Sequence, residues 1–145
     1  MVNITTAAYE RCSQIRTSNI LSVSERRRKF ILKNPYSKDV RQVSVDGCLP
    51  IESAKCDYLF EISASAQVYY VELKGKDIKH ALEQLLATMS YCFFAARHIN
   101  YEKTCVIVSS QVPKMTPRTQ ALKKQCRKKK NARLKIKTRQ CEIMV

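Results

Sequence analysis

The sequence predicts a mixed α/β fold in which a sheet of four or five strands is flanked by helices. Three observations lead there. Residues 55–62 and 67–74 are two runs rich in aromatic and β-branched side chains, with a short polar break of hairpin size between them. Residues 77–96 set Ile78, Ala81, Leu82, Leu85, Leu86, Met89, Cys92, Phe93 and Ala96 at helical spacing, so that they form one apolar stripe. Residues 104–109 are continuously apolar and β-branched, as in a strand buried in the middle of a sheet.

The remaining elements follow in order. Residues 1–33 are expected to be helical, with a break near Ser18 and Asn19. Tyr9, Cys12 and Ile15, then Val23, Phe30 and Ile31, would supply the apolar faces. Ser24 stands where a cap would precede a solvated basic face of Arg26, Arg27, Arg28 and Lys29. Asn34 and Pro35 end that helix. Val40, Val43 and Val45 indicate a short strand, and Asp46 with Gly47 a turn. Beyond the central elements, residues 116–131 read as a basic helix with Pro117 in its first turn. Leu134, Ile136 and Thr138 alternate with Lys135, Lys137 and Arg139 as a half-exposed strand would, and Cys141 to Val145 continues it.

A chain of 145 residues suits one domain, 1–145, with a basic helix-strand region over roughly 114–145. Its 27 basic and 12 acidic residues leave a net charge of +15, which calls for a polyanionic partner. Nucleic acid is the simplest choice, and an anionic membrane surface competes with it. There is no apolar run long enough to span a bilayer, and residues 1–6 lack the basic start and apolar stretch of a signal peptide. A soluble cytoplasmic protein is therefore expected. The seven cysteines are odd in number and form no CxxC pair, so they read as reduced, mostly buried thiols, which fits a cytosol. His80 and His98 are the only histidines and are not spaced for a structural zinc site.

The chemistry concentrates in the two central runs. Asp57 lies on the first, and Glu72 and Lys74 lie on the second, two residues apart. Strand alternation puts Tyr70, Glu72 and Lys74 on one face, with Val71 and Leu73 on the other, and sets Asp57 in phase with Leu59. Charged side chains on an apolar strand carry a desolvation penalty unless they pair or bind something. Glu72 and Lys74 alone are also what a simple ion pair at a strand end looks like. Asp57 at hairpin distance, the helix that follows, and the basic chain make the set more specific.

That set resembles the PD-(D/E)xK nuclease superfamily over about residues 25–110. The resemblance implies a restriction-endonuclease-like core and metal-dependent hydrolysis of phosphodiester bonds, most simply in DNA. It implies that Asp57, Glu72 and the Leu73 carbonyl hold Mg²⁺ or Mn²⁺. Lys74 would orient the attacking water and stabilise charge on the phosphorus centre. Cys56 stands where the superfamily often has proline. Some branches add Gln and Tyr four apart on the next helix; here Gln84 is followed by Thr88 and then Tyr91, one flank of the apolar stripe. Gln84 is thereby a candidate to bond a phosphate or position the water. Glu25 is a candidate further acid on the first helix, with Glu10 behind it, and Asp46 and Glu52 are within reach in sequence.

Phosphate-backbone contacts fall to the basic third of the chain, Lys123, Lys124, Arg127, Lys128, Lys130, Arg133, Lys135 and Lys137, a stretch without Asp or Glu. Arg26, Arg27, Arg28 and Lys29 form a second cluster, and Tyr36, Tyr58, Tyr69 and Tyr70 could stack on bases. A homodimer or larger protein partner would supply specificity that so small a chain lacks. The competing functional reading is a catalytically inactive nuclease-fold subunit that binds nucleic acid.

Overall fold

The structure, a computed structural model, describes residues 4–75, 77–112, 115–129 and 131–145, the side chains of residues 74, 75 and 129 excepted. The chain opens with α1 (Thr6–Arg11), which Thr5 caps by accepting the Ala8 N–H at 3.1 Å. The long N-terminal helix expected from the sequence ends there. Strand β1 (Ser13–Arg16) follows, and β2 (Ile20–Glu25) and β3 (Arg28–Lys33) form a hairpin. The physical reason is period. Leu21 and Val23 on β2, and Arg28, Phe30 and Leu32 on β3, are buried at every second position, which is a strand's repeat. The arginine run forms the hairpin turn rather than a helix face: Arg26 and Arg27 have φ of 46° and 67°.

Strands β4 (Val40–Ser44), β5 (Tyr58–Ile62) and β6 (Gln67–Gly75) come next. A short 3-10 turn at Ser63–Ser65 and Ala66 at φ 50° connect the last two. Helix α2 (Ile78–Ser90) starts at Asp77, whose side chain accepts the His80 N–H at 3.3 Å. The single helix expected over 77–96 is broken at Tyr91, which is extended at φ −61° and ψ 132°, and α3 (Cys92–Arg97) is a separate turn-and-a-half. Strand β7 (Glu102–Ser109), α4 (Pro117–Lys129), β8 (Ala132–Thr138) and β9 (Gln140–Met144) complete the chain.

The main sheet has six strands in the order β1-β4-β5-β6-β7-β8, antiparallel as far as β6 and parallel from β6 to β8. A second sheet has the order β2-β3-β9, with β3 and β9 parallel. The fold is thus mixed α/β as expected, with more strands than the four or five read from the sequence. β9 does not continue β8: Arg139, at φ 69°, sends the chain into the other sheet. Three layers result. Leu59, Tyr70, Cys105 and Ile107 pack under Leu82, Leu85 and Leu122 of the helices. Phe60, Val71, Leu73 and Val106 pack against Leu21, Phe30, Leu32 and Ile143 of the small sheet. β7 is buried on both faces, which is why its sequence is a continuous apolar run.

Cys12 and Cys48 form a disulfide, joining the end of α1 to the turn after Gly47. This corrects the expectation of reduced thiols throughout, and withdraws the cysteine argument for a cytosol, where such bonds are rare. The cysteine count and spacing carried no information on this pair; the fold brings them together. Among the other five, Cys56, Cys105, Cys126 and Cys141 are buried and Cys92 is exposed. Among the described residues, no helix is long and apolar enough to cross a membrane.

Candidate active site

The two central strands are adjacent and antiparallel, with Tyr58 opposite Val71 and Leu59 opposite Tyr70. Asp57 stands one residue before β5. Its N–H donates to the Val71 carbonyl at 3.1 Å, although Val71 already pairs with Tyr58, so strict alternation stops at Tyr58. Its own carbonyl receives the N–H of Val45 at 3.0 Å and of Asp46 at 3.3 Å. The Asp57 carboxylate lies almost wholly buried and accepts the Leu73 N–H through Oδ2 at 2.8 Å. That N–H belongs to the peptide group joining Glu72 to Leu73. The first acid is therefore fastened to the backbone beside the second by a charge-assisted hydrogen bond.

Glu72 is fully buried and comes from the helix-side face of β6, the face of Tyr70; Leu73 enters the opposite core. Between Glu72 and Gly75 the register of β6 against β7 shifts. Such irregularities re-aim side chains at strand ends and recur beside active sites. The Lys74 side chain, expected to share the face of Glu72, lies outside the described residues. Cys56 reports on both acids: burial raises its thiol pKa, the Glu72 charge raises it further, and Asp57 adds a smaller push.

Helix α2 holds the segment that leads into Asp57. Gln84 Nε2 donates to the Lys55 carbonyl at 3.2 Å. Thr88 is buried, accepts the Cys56 N–H at 2.8 Å, and donates to the Gln84 carbonyl at 2.8 Å. The Tyr91 hydroxyl donates to the Ala54 carbonyl at 3.0 Å and bonds Ser53 Oγ. The flank of Gln84, Thr88 and Tyr91 meets the segment that leads into Asp57, through the backbone of residues 54–56 and the Ser53 hydroxyl.

Of the other candidate acids, Asp46 lies beside Asp57, its N–H donating to the Asp57 carbonyl at 3.3 Å. Glu25 ends β2 opposite Arg28, not on a helix. Asp46 pairs with Lys55 at 3.8 Å, and Glu10 and Glu52 are exposed. Among the described residues, no three His, Cys, Asp or Glu side chains cluster as a metal site.

The basic third divides into two sets. Lys123, Lys124, Arg127 and Lys128 lie on α4, in the helix layer, and Lys130 lies outside the described residues. On β8, Leu134 and Ile136 pack toward the helices, so Arg133, Lys135 and Lys137 project to the opposite side. Register places Arg133 level with Tyr69, at the far end of β6 from Glu72; Ile136 is level with Glu72. Arg133 also pairs with Glu102 at 2.8 Å. Of the tyrosines, Tyr69 and Tyr70 are buried, Tyr58 is half-buried, and Tyr36 is exposed.

Sequence reading missed a second buried cluster. Glu61, on β5, accepts Tyr9 Oη at 2.5 Å, Arg97 Nε at 2.7 Å and the second Arg97 nitrogen at 3.0 Å, and it contacts His98 Nε2. His98 Nδ1 bonds Tyr70 Oη at 2.7 Å, and Arg41 approaches Glu61 at 3.7 Å. Burial opposes the Glu61 charge, but hydrogen bonds from His98, Arg97 and Tyr9 outweigh it and lower its pKa to about 2. The available signal was a carboxylate inside an apolar strand, in phase with Leu59; its partners come from three other elements. No family model, curated protein or solved structure matches this chain.

Proposed function

We propose that the chain is a metal-dependent nuclease of the PD-(D/E)xK type that hydrolyses phosphodiester bonds in DNA. The observation that carries this is the Asp57 carboxylate bonded to the peptide between Glu72 and Leu73, at an irregular strand end. The surroundings support a restriction-endonuclease-like core: β5 and β6 antiparallel, then β6, α2 and a parallel β7. The donor set of two carboxylates and the Leu73 carbonyl is all oxygen, which suits Mg²⁺ or Mn²⁺ shared with a substrate phosphate.

When bound there, the metal supplies Lewis-acid polarisation of the phosphate and a more acidic water. Asp57 and Glu72 hold it, and the α2 contacts to residues 53–56 fix the approach of Asp57. Lys74, two residues after Glu72 in sequence, is the residue to which this reading gives the tasks of orienting the water and offsetting charge on the phosphorus centre. The excess of basic residues draws in the polyanion.

Asp57→Ala, Glu72→Ala and Lys74→Ala are each expected to abolish Mg²⁺- or Mn²⁺-dependent cleavage while leaving duplex binding in place. Linear, circular, branched and single-stranded substrates define the preferred target. Three variants that cut as well as the parent would sink the site. One observation favours the second reading, a nuclease-fold subunit that binds without cutting: Glu72 has no exposed surface. Salt-sensitive binding with no cleavage under any divalent metal would establish it.

A further inference from the structure

Among the described residues, six that are not glycine adopt positive φ, and three of them are arginines: Arg26 at 46°, Arg27 at 67° and Arg139 at 69°. The first two are the central pair of the two-residue β2–β3 turn, where both positions need positive φ and Asn-Gly is the favoured chemistry. Arg139 is the single residue between β8 and β9. A long side chain gains nothing from a left-handed backbone, which glycine or asparagine adopts at lower cost.

The three arginines occupy one corner. The Lys29 N–H donates to the Arg139 carbonyl at 2.8 Å, and the Arg139 N–H donates to the Ser109 carbonyl at 2.7 Å. Ser109 is in register with Gly75 on one side and Thr138 on the other. The hairpin tip thus sits at the end of the sheet where β6 finishes, next to the Glu72–Gly75 irregularity. All three side chains are exposed. Behind them Arg28 is buried, and its Nε finds no hydrogen-bond acceptor among the described residues. Lys137, level with the last residues of β6, is exposed two positions before Arg139.

We infer that this corner, Arg26, Arg27 and Arg139 with Arg28 behind, is the phosphate-backbone grip of the molecule, engaging DNA at the end of the sheet that carries Asp57 and Glu72. The inference rests on the nuclease reading for its ligand. Placement at the acid-bearing end favours it over the α4 cations, which run along the helix layer toward the opposite end of β8. Cationic side chains on unfavourable backbone are explained by a contact that needs them there.

The test replaces each arginine with the residue its backbone prefers: Arg26→Asn with Arg27→Gly, and Arg139→Asn. Binding to a short fluorescent DNA duplex is measured in EDTA across a salt series, beside thermal melting. The expected result is melting at or above the parent's temperature with weaker binding. In the combined variant the slope of log K against log salt should shrink by roughly 2 to 3, since each lost phosphate contact removes about 0.9. Lys123→Gln with Lys124→Gln should change the slope less. Parent-like binding with an unchanged slope overturns the inference, as does a fall in melting temperature. It is also overturned if the parent prefers phosphatidylserine vesicles to DNA at equal salt and the variant loses only that binding. Because binding is read without metal, the two readings fail separately. Loss of binding in a protein that never cuts keeps the grip and removes the nuclease; unchanged binding in a protein that cuts does the reverse.

Discussion

Glu61 shows what a single buried charge does in this molecule. It has partners on α1, α3 and at the end of α3, and its carboxyl is held at about 2 against an ordinary value of 4.5. A folded-state pKa below the unfolded one adds stability that is fully present above about 4.5 and is lost as pH falls toward about 2. At 1.36 kcal/mol per unit the contribution is about 3 kcal/mol. Glu61→Gln is therefore expected to lower the unfolding free energy by about that much at neutral pH and to flatten the acid limb, so that parent and variant converge near the lower value. Urea melts at pH 7 and in acid read it; parallel pH profiles would refute it. The acids of the proposed active site were legible because Asp57 and Glu72 sit in strand-like sequence at hairpin distance. Glu61 was not, because His98 stands 37 residues away and reaches it only through the packing of α3.

At the scale of elements, α2 acts as a strap over the chain entering β5. Thr88 gives the Cys56 N–H its acceptor in a buried setting. Thr88→Val keeps the shape and removes that acceptor, leaving a buried donor at a cost of about 1–3 kcal/mol. Chemical denaturation should show that loss, and Thr88→Ser should restore most of it. At a temperature where both are folded, cleavage by Thr88→Val should fall while DNA binding holds, because Asp57 is displaced and the cations are not. Equal stability and cleavage would mean that the strap is ornamental. Helix α2 was readable from its helical period, and β5, β6 and β7 from short runs rich in aromatic and β-branched residues bounded by turn signals. The hairpin of β2 and β3 was not, since its arginine run resembled a solvated helix face and its alternation at 21, 23, 30 and 32 is interrupted by the turn. β9 was misassigned for a related reason: a single left-handed residue, Arg139, changes sheets without a glycine or proline to announce it.

For the molecule as a whole, the Cys12–Cys48 bond closes a loop of sequence separation 36 that contains α1's exit, β1 to β4 and the turn before the active-site segment. Chain-entropy reasoning gives about 4 kcal/mol for a loop of that size. Cys12→Ser with Cys48→Ser should lose up to that amount in urea melts, and dithiothreitol should bring the parent down to the same curve. A parent indifferent to reductant would rule the bond out as a source of stability. The three-layer arrangement has a further consequence in time. β3 takes its parallel partner from β9, so the apolar face of the first hairpin is made about a hundred residues before the strand that completes its sheet. During synthesis Leu21, Phe30 and Leu32 emerge from the ribosome with that partner still to be translated. Contacts so distant in sequence slow folding, and an unpaired β3 edge is open to a neighbouring nascent chain in the meantime.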